Sequence, residues 1–424
     1  MTTSGTRPEG DGPAPGLAFV ESNLTGTGMQ ALRLARALGL RTLFVTSDLD
    51  RYAVDPDTAA TIRACADEIL HCDTQSPEAI EKALRAGPTP VAGVMTVMEY
   101  YVPIAAATAR RMGLPGLDPA AADMARDKLK TRVRCAERGV PVPAFRFVQD
   151  AAGVDAALAE TGLPCVVKPV DESASIGVAL CRTREEAVDR VADIAGRPTN
   201  SKGQLRVPGA LVEECLFGHE VSVETFTFDG RTTVLGVTDK LLGPTPHFVE
   251  LGHTFPSSVG EGASRAADVA VAALDAIGLD FGPAHVEAKL TPRGPVLIEI
   301  NARTGGDFIP DLVEHATGVP LLRQSVLAHS GGRPELTPTR AKGAAIRFIA
   351  GRSGTVGSVP GTDVLENFPS VVAFRTKAAP GQRTTWPSNS HERLGHVMTC
   401  AATAEEAAAD ANAALAHLAP TYQE

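Results

Sequence analysis

The chain has 424 residues, a formal net charge of −10, 44% hydrophobic residues and 21% charged residues. This balance is typical of a folded globular protein and excludes a mainly disordered chain, because the apolar side chains suffice to offset the entropy that folding removes. The acidic charge, with only 4% aromatic residues, disfavours a protein that coats nucleic acid, since such a protein needs a basic face or base-stacking rings.

The N-terminal residues and the cysteines predict a cytoplasmic protein. Residues 1–15 are polar and rich in Gly and Pro, so we expect a disordered tail that lacks the apolar core of a signal peptide. The seven cysteines include no Cys-x-x-Cys pair, which indicates reduced thiols and neither a disulfide framework nor a zinc site. The strongest apolar stretch, from Val91, is interrupted by Glu99 and Pro103, short of the roughly 18 residues that span a bilayer.

The first folded unit, residues 16–118, alternates strands with helices. Its predicted strands are Leu17–Val20, Thr42–Thr46 and Val91–Val97. A helix is predicted over Met29–Leu38, and another begins at the N-cap Ser76 with Pro77 in its first position. Such alternation predicts a parallel sheet with helices on both faces.

The middle of the chain predicts a strand-rich α+β unit. A charged amphipathic helix is predicted over 121–139, and a capping box formed by Thr183 and Glu186 marks the start of a second helix. The predicted strands are Phe145–Val148, Cys165–Lys168, Val178–Cys181, Ala210–Glu214 and Val221–Phe228.

Beyond a helix predicted over 266–278, the chain carries a β-hairpin signal. The apolar segments His285–Leu290 and Val296–Ile300 flank a Pro-Arg-Gly turn at 292–294. The remaining residues predict more strands and a last helix, which begins at a capping box formed by Thr403 and Glu406.

A glycine loop near the N-terminus fits a dinucleotide fingerprint. Gly26, Gly28 and Ala31 follow the pattern G-x-G-x-x-A between a strand and a helix, and Asp48 lies 20 residues after Gly28. This pattern alone would indicate an NAD-dependent oxidoreductase. A structural turn selects the same glycines, and a loop that faces a substrate without binding NAD is a third interpretation.

The hairpin carries the residues with the clearest chemistry. Side chains two apart on a strand share a face, so Glu299 and Asn301 point the same way, and Glu287 on the partner strand can reach them. Two carboxylates and an amide oxygen are ligands suited to Mg²⁺, with Mn²⁺ as a second possibility. A buried, hydrogen-bonded carboxylate pair and a solvated hairpin are the structural alternatives.

The residues after the hairpin are of types that could bind a phosphate group. Arg303 lies where a guanidinium could clamp charge that develops during phosphoryl transfer. Gly305 and Gly306 would let the backbone approach a ligand.

Two lysines are candidates for phosphate binding. Lys168 ends an apolar strand and precedes a small loop that contains Ser173, Ser175 and Gly177, which could fold over phosphates. Lys128 is the second candidate. The structural alternatives are that the aliphatic stem of Lys168 lies over the edge of the sheet with its amine in solvent, and that Lys128 faces solvent on a helix.

Residues 210–220 form a strand, a short connector and a second strand. The connector, with Glu213, Glu214 and Leu216, could offer backbone groups to an adenine edge. Glu220, just beyond it, could accept hydrogen bonds from ribose hydroxyls.

Taken in this order, Lys128, Lys168 with its Ser/Gly loop, the 213–220 segment and Glu287…Glu299-Ile-Asn301-Ala-Arg303 resemble the ATP-grasp superfamily. The resemblance implies an α/β and α+β protein with the ATP-grasp fold: a Rossmann-like N-terminal domain, a small lid domain and a larger α+β domain, with ATP between the last two. The implied units are a tail (1–15), the N-terminal domain (16–118), the lid with its lead-in helix (119–215), the large subdomain (216–334) and a C-terminal part that completes it (335–424).

Within that superfamily, the segment from Phe248 to Ser257 resembles the carboxylate–amine ligases, in particular the L-amino acid (dipeptide) ligases. The resemblance implies that Glu250 and His253 lie beside the substrate, with Gly305 and Gly306, and that Arg303 contacts substrate and phosphoryl group. It also implies an acyl-phosphate intermediate, small-molecule carboxylate and amine substrates, no nucleic-acid or membrane partner, and a homodimer. The alternatives are a biotin-carboxylase-like enzyme, a non-catalytic ATP-binding regulator and the oxidoreductase.

Overall fold

The computed structural model describes residues 14–23, 26–244 and 249–423. Most of the predicted tail 1–15 lies outside these residues, as do Leu24 and Thr25 of the glycine-loop segment and Phe248. Within the described residues, no helix combines the length and the apolar character that a bilayer span requires.

The N-terminal unit is built on a four-stranded parallel sheet with strand order β3-β2-β1-β4. Its elements are β1 Gly16–Val20, α1 Thr27–Ala37, β2 Arg41–Thr46, α2 Pro56–Cys65, β3 Glu68–His71, α3 Pro77–Ala86, β4 Val91–Met95 and α4 Val102–Met112. Leu17 and Phe19 pack against α1, whereas Ala18 and Val20 face α3 and α4. The helices therefore cover both faces, which confirms the predicted parallel sheet and explains its unbroken apolar strands.

The linker to the next unit differs from the prediction. The single helix predicted over 121–139 is wrong, because the structure has α5 Pro119–Arg126 and α6 Lys128–Glu137. Asp127 separates them with an extended backbone, and its carboxylate accepts hydrogen bonds from the amides of Leu129 and Lys130. This N-cap starts a new helix at Lys128 and turns that side chain toward the site.

The lid is an antiparallel sheet with strand order β5-β8-β6-β7 and two helices. Its elements are β5 Phe145–Val148, α7 Val154–Thr161, β6 Cys165–Lys168, β7 Ala179–Cys181, α8 Arg184–Ala195 and β8 Ala210–Glu214. The helix α8 begins at the predicted capping box, in which Thr183 and Glu186 each bind the other's backbone amide. Val167, Val191 and Val212 meet in one buried cluster between the helices and the sheet.

The large unit is an eight-stranded antiparallel sheet with the order β13-β12-β9-β10-β11-β14-β18-β16. Its elements are β9 His219–Phe228, β10 Arg231–Leu242, β11 Glu250–Phe255, α9 Glu261–Ile277, β12 Gly282–Thr291, β13 Gly294–Asn301, α10 Ile309–Thr317, α11 Leu321–His329, β14 Gly343–Ile349, β15 Gly354–Thr355, β16 Val371–Thr376, β17 Arg383–Thr384, β18 Gly395–Ala401 and α12 Ala404–Leu418. From the last part of the chain, β14, β16 and β18 thus extend the same sheet, whereas β15 and β17 pair with each other in a separate two-stranded sheet. Short 3₁₀ turns lie at Asp50–Val54, Glu99–Tyr101, Ala151–Gly153, Thr362–Asn367 and Ser390–Glu392.

Near the hairpin, one face of this sheet is apolar and the other is polar, whereas farther along the sheet Phe226, Phe255 and Ile346 pack with α10 in a second buried cluster. Val223, Val286 and Leu297 pack with α9 in a buried cluster. Along each strand, the residues that alternate with these apolar residues point to the opposite face. The predicted hairpin is present, and its register pairs Glu287 with Glu299 and His285 with Asn301. The fold therefore brings the predicted metal ligands onto one face.

The contact between β14 and α12 gives a test of the packing. A Cβ added to Gly343 would lie 2.2 Å from backbone atoms of Thr403 and Ala404, which cannot move aside as a side chain could. We expect Gly343→Ala to lower the free energy of unfolding by about 2 kcal/mol through overpacking.

Chemical denaturation measures this loss, and Gly262→Ala is the matched control. Gly262 lies in the first turn of α9, and its added Cβ would meet the ends of two side chains, Leu290 at 3.1 Å and Val259 at 3.8 Å. Because Ala favours helix, this control should be neutral or slightly stabilising. Equal losses in both variants would contradict the packing argument.

Candidate active site

The polar face of the hairpin carries the predicted metal ligands. The side chains of Glu287 and Glu299 keep 17% and 20% exposure, so they line accessible space, while Asn301 is buried. Lys128 Nζ lies 2.7 Å from Glu299 Oε1, and His285 Nε2 lies 3.2 Å from Glu287 Oε1. The donor set of two carboxylates and one amide oxygen on adjacent strands fits Mg²⁺.

A buried lysine that sequence reasoning missed joins this face. Lys240 Nζ on β10 lies 2.9 Å from Glu220, 3.0 Å from Glu250 and 3.1 Å from Glu287. Burial by itself would lower the pKa of Lys240, but these carboxylates outweigh it and raise that pKa well above its usual value. Lys240 is flanked by Asp239 and Leu241 on β10, so no alternation of polar and apolar residues marked it in the sequence.

His285 completes the charge balance of the hairpin. Its Nδ1 lies 3.0 Å from Glu224, which is fully enclosed on β9. Burial opposes the charged ring, yet Glu224 and Glu287 raise the pKa of His285 to about 10. The imidazole is therefore protonated at neutral pH and offsets the two acids beside it.

The predicted nucleotide residues of the lid meet in a second buried cluster. Lys168 Nζ lies 2.6 Å from Glu213 Oε2, and Arg132 Nε on α6 lies 2.7 Å from Glu213 Oε1. All three side chains are buried. Glu214 alternates to the other side of β8 and pairs with the exposed Arg293, so the structure does not bring it to this cluster. Leu216 is half-buried in the connector between β8 and β9.

Glu220 lies with the acids around Lys240. Its second oxygen is 3.0 Å from Lys289 Nζ, so two cations already hold this carboxylate. Their charges lower the pKa of Glu220, although burial acts in the opposite direction.

The loop after Lys168 faces the N-terminal unit. Ser173 Oγ donates to Glu99 Oε2 at 2.5 Å, and the Ser173 amide donates to the Tyr100 hydroxyl at 3.1 Å. Ser175 is exposed and has a left-handed φ of 58°. Gly177 has a φ of 81°, a conformation that favours glycine. The loop thus closes on the site, and its Ser173 contacts Glu99 and Tyr100 of the N-terminal unit.

Glu99 is a second residue that sequence reasoning missed. It is buried just after β4 and pairs with Arg303 at 3.1 Å and Arg126 at 3.3 Å. Burial acts to raise the pKa of Glu99, but Arg303, Lys128 and Arg126 lower it. An acid directly after an apolar strand of a parallel sheet was the signal, because ligands bind at the carboxyl ends of such strands.

Arg303 joins the large unit to the N-terminal unit. It donates to Asn301 Oδ1 at 3.2 Å and to the Thr304 carbonyl at 2.8 Å, besides its pair with Glu99. A Cβ at Gly305 would lie 3.1 Å from His285 Nδ1, whereas Gly306 has open space around it. The glycines therefore let the backbone leave the hairpin close to the polar face.

Arg393, from the C-terminal part of the chain, lies beside the predicted substrate residues Glu250 and His253. His253 is fully buried, with Nε2 3.4 Å from Asp307 Oδ2. Arg393 binds both oxygens of Asp307, at 2.5 and 2.6 Å, and donates to the Glu250 carbonyl at 3.0 Å. Arg393 and Asp307 were missed, since neither belongs to a motif.

The glycine loop has the geometry of a structural turn. Gly26 has a φ of 78°, and the Gly28 amide donates to the Asn23 side chain at 3.1 Å. A Cβ at Gly28 would lie 1.9 Å from Ser22 Oγ. Asn23 and Ser22 thus fill the space beside Gly28, which accounts for a glycine at this position without a bound ligand.

Three family descriptions match this chain. Residues 161–311 match an ATP-grasp domain, residues 32–116 match the ATP-grasp N-terminal domain, and residues 347–423 match the L-amino acid ligase C-terminal domain 2. The chain belongs to the ATP-grasp superfamily of ligases. Its C-terminal domain is of the type found in L-amino acid ligases.

Similar proteins agree with this assignment. The uncharacterised protein y4rH of Sinorhizobium fredii is 31% identical over 93% of this chain and 80% of its own length. Human carnosine synthase 1 is 28% identical over 64% of this chain, and the match spans 34% of that longer protein. The crystal structure of an L-amino acid ligase from Bacillus licheniformis aligns with a TM-score of 0.78 at 23% identity, over 97% of this chain and 99% of that chain.

The Lys240 cluster gives a test of the site's electrostatics. We expect Lys240→Met to lower the free energy of unfolding by about 3 kcal/mol at pH 7, because three partly buried carboxylates lose their shared, buried cation. The lowered pKa of Glu287 and of Glu220 means that this stabilisation is present above the ordinary carboxyl pKa of 4.5 and is lost as the pH falls below it.

The free energy of unfolding of Lys240→Met should therefore differ least from that of the wild type at acidic pH. Denaturation midpoints measured from pH 3 to 8 test the sign of this pH dependence. Lys289→Met removes a cation whose carboxylate partner, among the residues that the structure describes, is Glu220 alone, so this variant should lose less stability. A loss independent of pH would contradict the electrostatic account.

Proposed function

We propose that this chain is an ATP-dependent carboxylate–amine ligase that forms an amide bond through an acyl phosphate and releases ADP and phosphate. The substrates are amino acids or small carboxylates. The observation that carries the proposal is the convergence of Glu287, Glu299 and Asn301 with Lys128 and Arg303 at one accessible site.

The site supports each requirement of phosphoryl transfer. Glu287, Glu299 and Asn301 would hold Mg²⁺, which neutralises the β- and γ-phosphates when bound. Lys128 and Lys168 now pair with carboxylates and would exchange these partners for phosphate oxygens. The substrate carboxylate then attacks the γ-phosphorus, and ADP leaves.

Arg303 is suited to stabilise the transferred phosphoryl group. Its pair with Glu99 fixes the guanidinium beside Asn301. The loop with Ser173 packs against Glu99 and would exclude water, which protects an acyl phosphate from hydrolysis.

In the second step, the amine nitrogen attacks the acyl carbon. The new C–N bond forms, the C–O bond to phosphate breaks, and the nitrogen loses a proton. Glu250 and His253 lie on the strand beside Lys240 and are proposed to contact the substrate.

The alternatives receive less support. The C-terminal domain type favours an amino acid ligase over a biotin-carboxylase-like enzyme. The full set of predicted catalytic side chains disfavours a non-catalytic regulator, and the filled turn at Gly28 disfavours an oxidoreductase.

The proposal includes a homodimeric, cytoplasmic enzyme in which Mn²⁺ can replace Mg²⁺. It also includes unit boundaries near residues 118 and 215, which the separate sheets support, and a C-terminal part from residue 335 that completes the large unit, whose sheet β14, β16 and β18 extend. Light scattering, cell fractionation, metal replacement and limited proteolysis test these points.

The direct test is to mix the protein with ATP, Mg²⁺ and pairs of free amino acids and to measure phosphate release and amide products by mass spectrometry. Phosphate release that requires both an acid and an amine is the expected result. Tight NAD binding without such release would overturn the proposal.

Glu299→Ala tests the proposed metal site. We expect kcat to fall at least about 100-fold, because a metal ligand and the partner of Lys128 are lost together. Circular dichroism should show an intact fold. Glu214→Ala, which removes an acid from the other side of β8, should retain activity. Full activity in Glu299→Ala would show that this carboxylate is not a metal ligand.

A further inference from the structure

Arg132 is a buried cation that lies beside the proposed nucleotide residues without being one of them. Its side chain is fully enclosed on α6. Its Nε donates to Glu213 Oε1 at 2.7 Å, and its Nη2 donates to the carbonyl of Ile298, which precedes the proposed metal ligand Glu299 on β13. Arg132 therefore ties a carboxylate of the lid to the strand that carries the proposed metal site.

The helix α6 places Arg132 and Lys128 on one side. Residues four apart follow each other along one face of an α-helix. The helix that directs Lys128 to Glu299 therefore also directs Arg132 to Ile298, the neighbouring residue of β13. Arg132 is thus anchored on the large unit, while its Nε reaches the lid.

Glu213 has two cationic partners, which are held to different degrees. Its second oxygen, Oε2, lies 2.6 Å from Lys168 Nζ, so each oxygen contacts one cation. Among the residues that the structure describes, Glu213 is the carboxylate partner of Lys168. Lys168 has a flexible stem, whereas the rigid guanidinium of Arg132 is bound at both Glu213 and Ile298. Lys168 can therefore leave the carboxylate while Arg132 stays.

Two other cations repel the amine of Lys168. Burial lowers the pKa of Lys168, Glu213 acts to raise it, and the charges of Arg132 and Lys128 lower it further. Arg132 and Lys168 together lower the pKa of Glu213 against the effect of burial, so this carboxylate is ionised at neutral pH. Phosphate oxygens beside Lys168 would relieve the repulsion between the cations.

We propose that Arg132 is a positioning residue for ATP binding: it holds the Glu213 carboxylate and compensates its charge when Lys168 leaves that carboxylate for a phosphate oxygen. The inference rests on the proposed ligase function, in which Lys168 binds ATP. Without Arg132, departure of Lys168 would leave a buried carboxylate with no cation, which is strongly unfavourable, so Lys168 would remain on Glu213.

The test measures how tightly the protein binds a non-hydrolysable ATP analogue, β,γ-imido-ATP, with Mg²⁺ by calorimetry, so that no turnover is required. We expect Arg132→Met to raise the Kd of this analogue about tenfold or more, because Lys168 stays with Glu213. Arg132→Lys keeps the positive charge and should recover part of the affinity.

A second substitution separates this role from a merely structural one. Adding Glu213→Gln to Arg132→Met removes the charge that retains Lys168. The Kd of the double variant should therefore return to within about threefold of the Kd of Glu213→Gln alone. If Arg132 only braced the fold, the double variant would bind the analogue as weakly as Arg132→Met, or more weakly.

Arg134→Met is the matched control on the same helix. Arg134 Nε donates to the Ala276 carbonyl at 2.9 Å, and its guanidinium pairs with Glu137 at 3.7 Å, so these contacts involve none of the nucleotide residues. This variant should leave the Kd of the analogue unchanged. Thermal melts confirm that each variant folds.

The outcomes separate the two proposals. A wild-type Kd in folded Arg132→Met, or a double variant that binds no more tightly than Arg132→Met, would overturn this inference and leave the ligase function intact. Absence of substrate-dependent phosphate release with every pair of amino acids would overturn the ligase proposal alone, because the role of Arg132 is measured from binding.

Discussion

The site depends on ion pairs that join segments far apart in the chain. Lys128 on the linker pairs with Glu299 on the hairpin, and Lys168 on the lid pairs with Glu213, which Arg132 also holds. Arg303 pairs with Glu99 of the N-terminal unit. A buried charge without a partner is strongly unfavourable, so these pairs fix how the three units meet.

The same pairs explain how the site can accept ATP. Each cation that would bind phosphate is held in place by a carboxylate, and each proposed metal ligand is held by a cation. Binding of a metal ion and a polyphosphate replaces these partners with others of the same charge. The protein thus keeps its buried groups compensated in both states, which lets a highly charged site remain folded when no ligand is bound.

Much of the fold follows from local sequence signals. Apolar strands alternating with helices gave the parallel sheet, and the capping boxes at Thr183 and Thr403 placed two helix starts. The helix break at Asp127 was missed because the polar pattern on both sides is helical, and only the N-cap geometry reveals the boundary. The short elements α2, β3 and α7 were missed because they carry weak periodicity, and the strands β10 and β11 and the helices α10 and α11 were missed as well.

The sequence by itself determined which side chains of the hairpin share a face, because alternation along a strand is a local property. It also indicated Lys128 and Lys168 as candidates for phosphate binding, together with the Ser/Gly loop that follows Lys168. Only the tertiary structure decided that Lys240, Glu99 and Arg393 lie beside the predicted site residues, and that the Glu214 side chain points away from the pair formed by Lys168 and Glu213. The partner of a buried charge is chosen by packing between distant segments, and no spacing in the sequence encodes that choice.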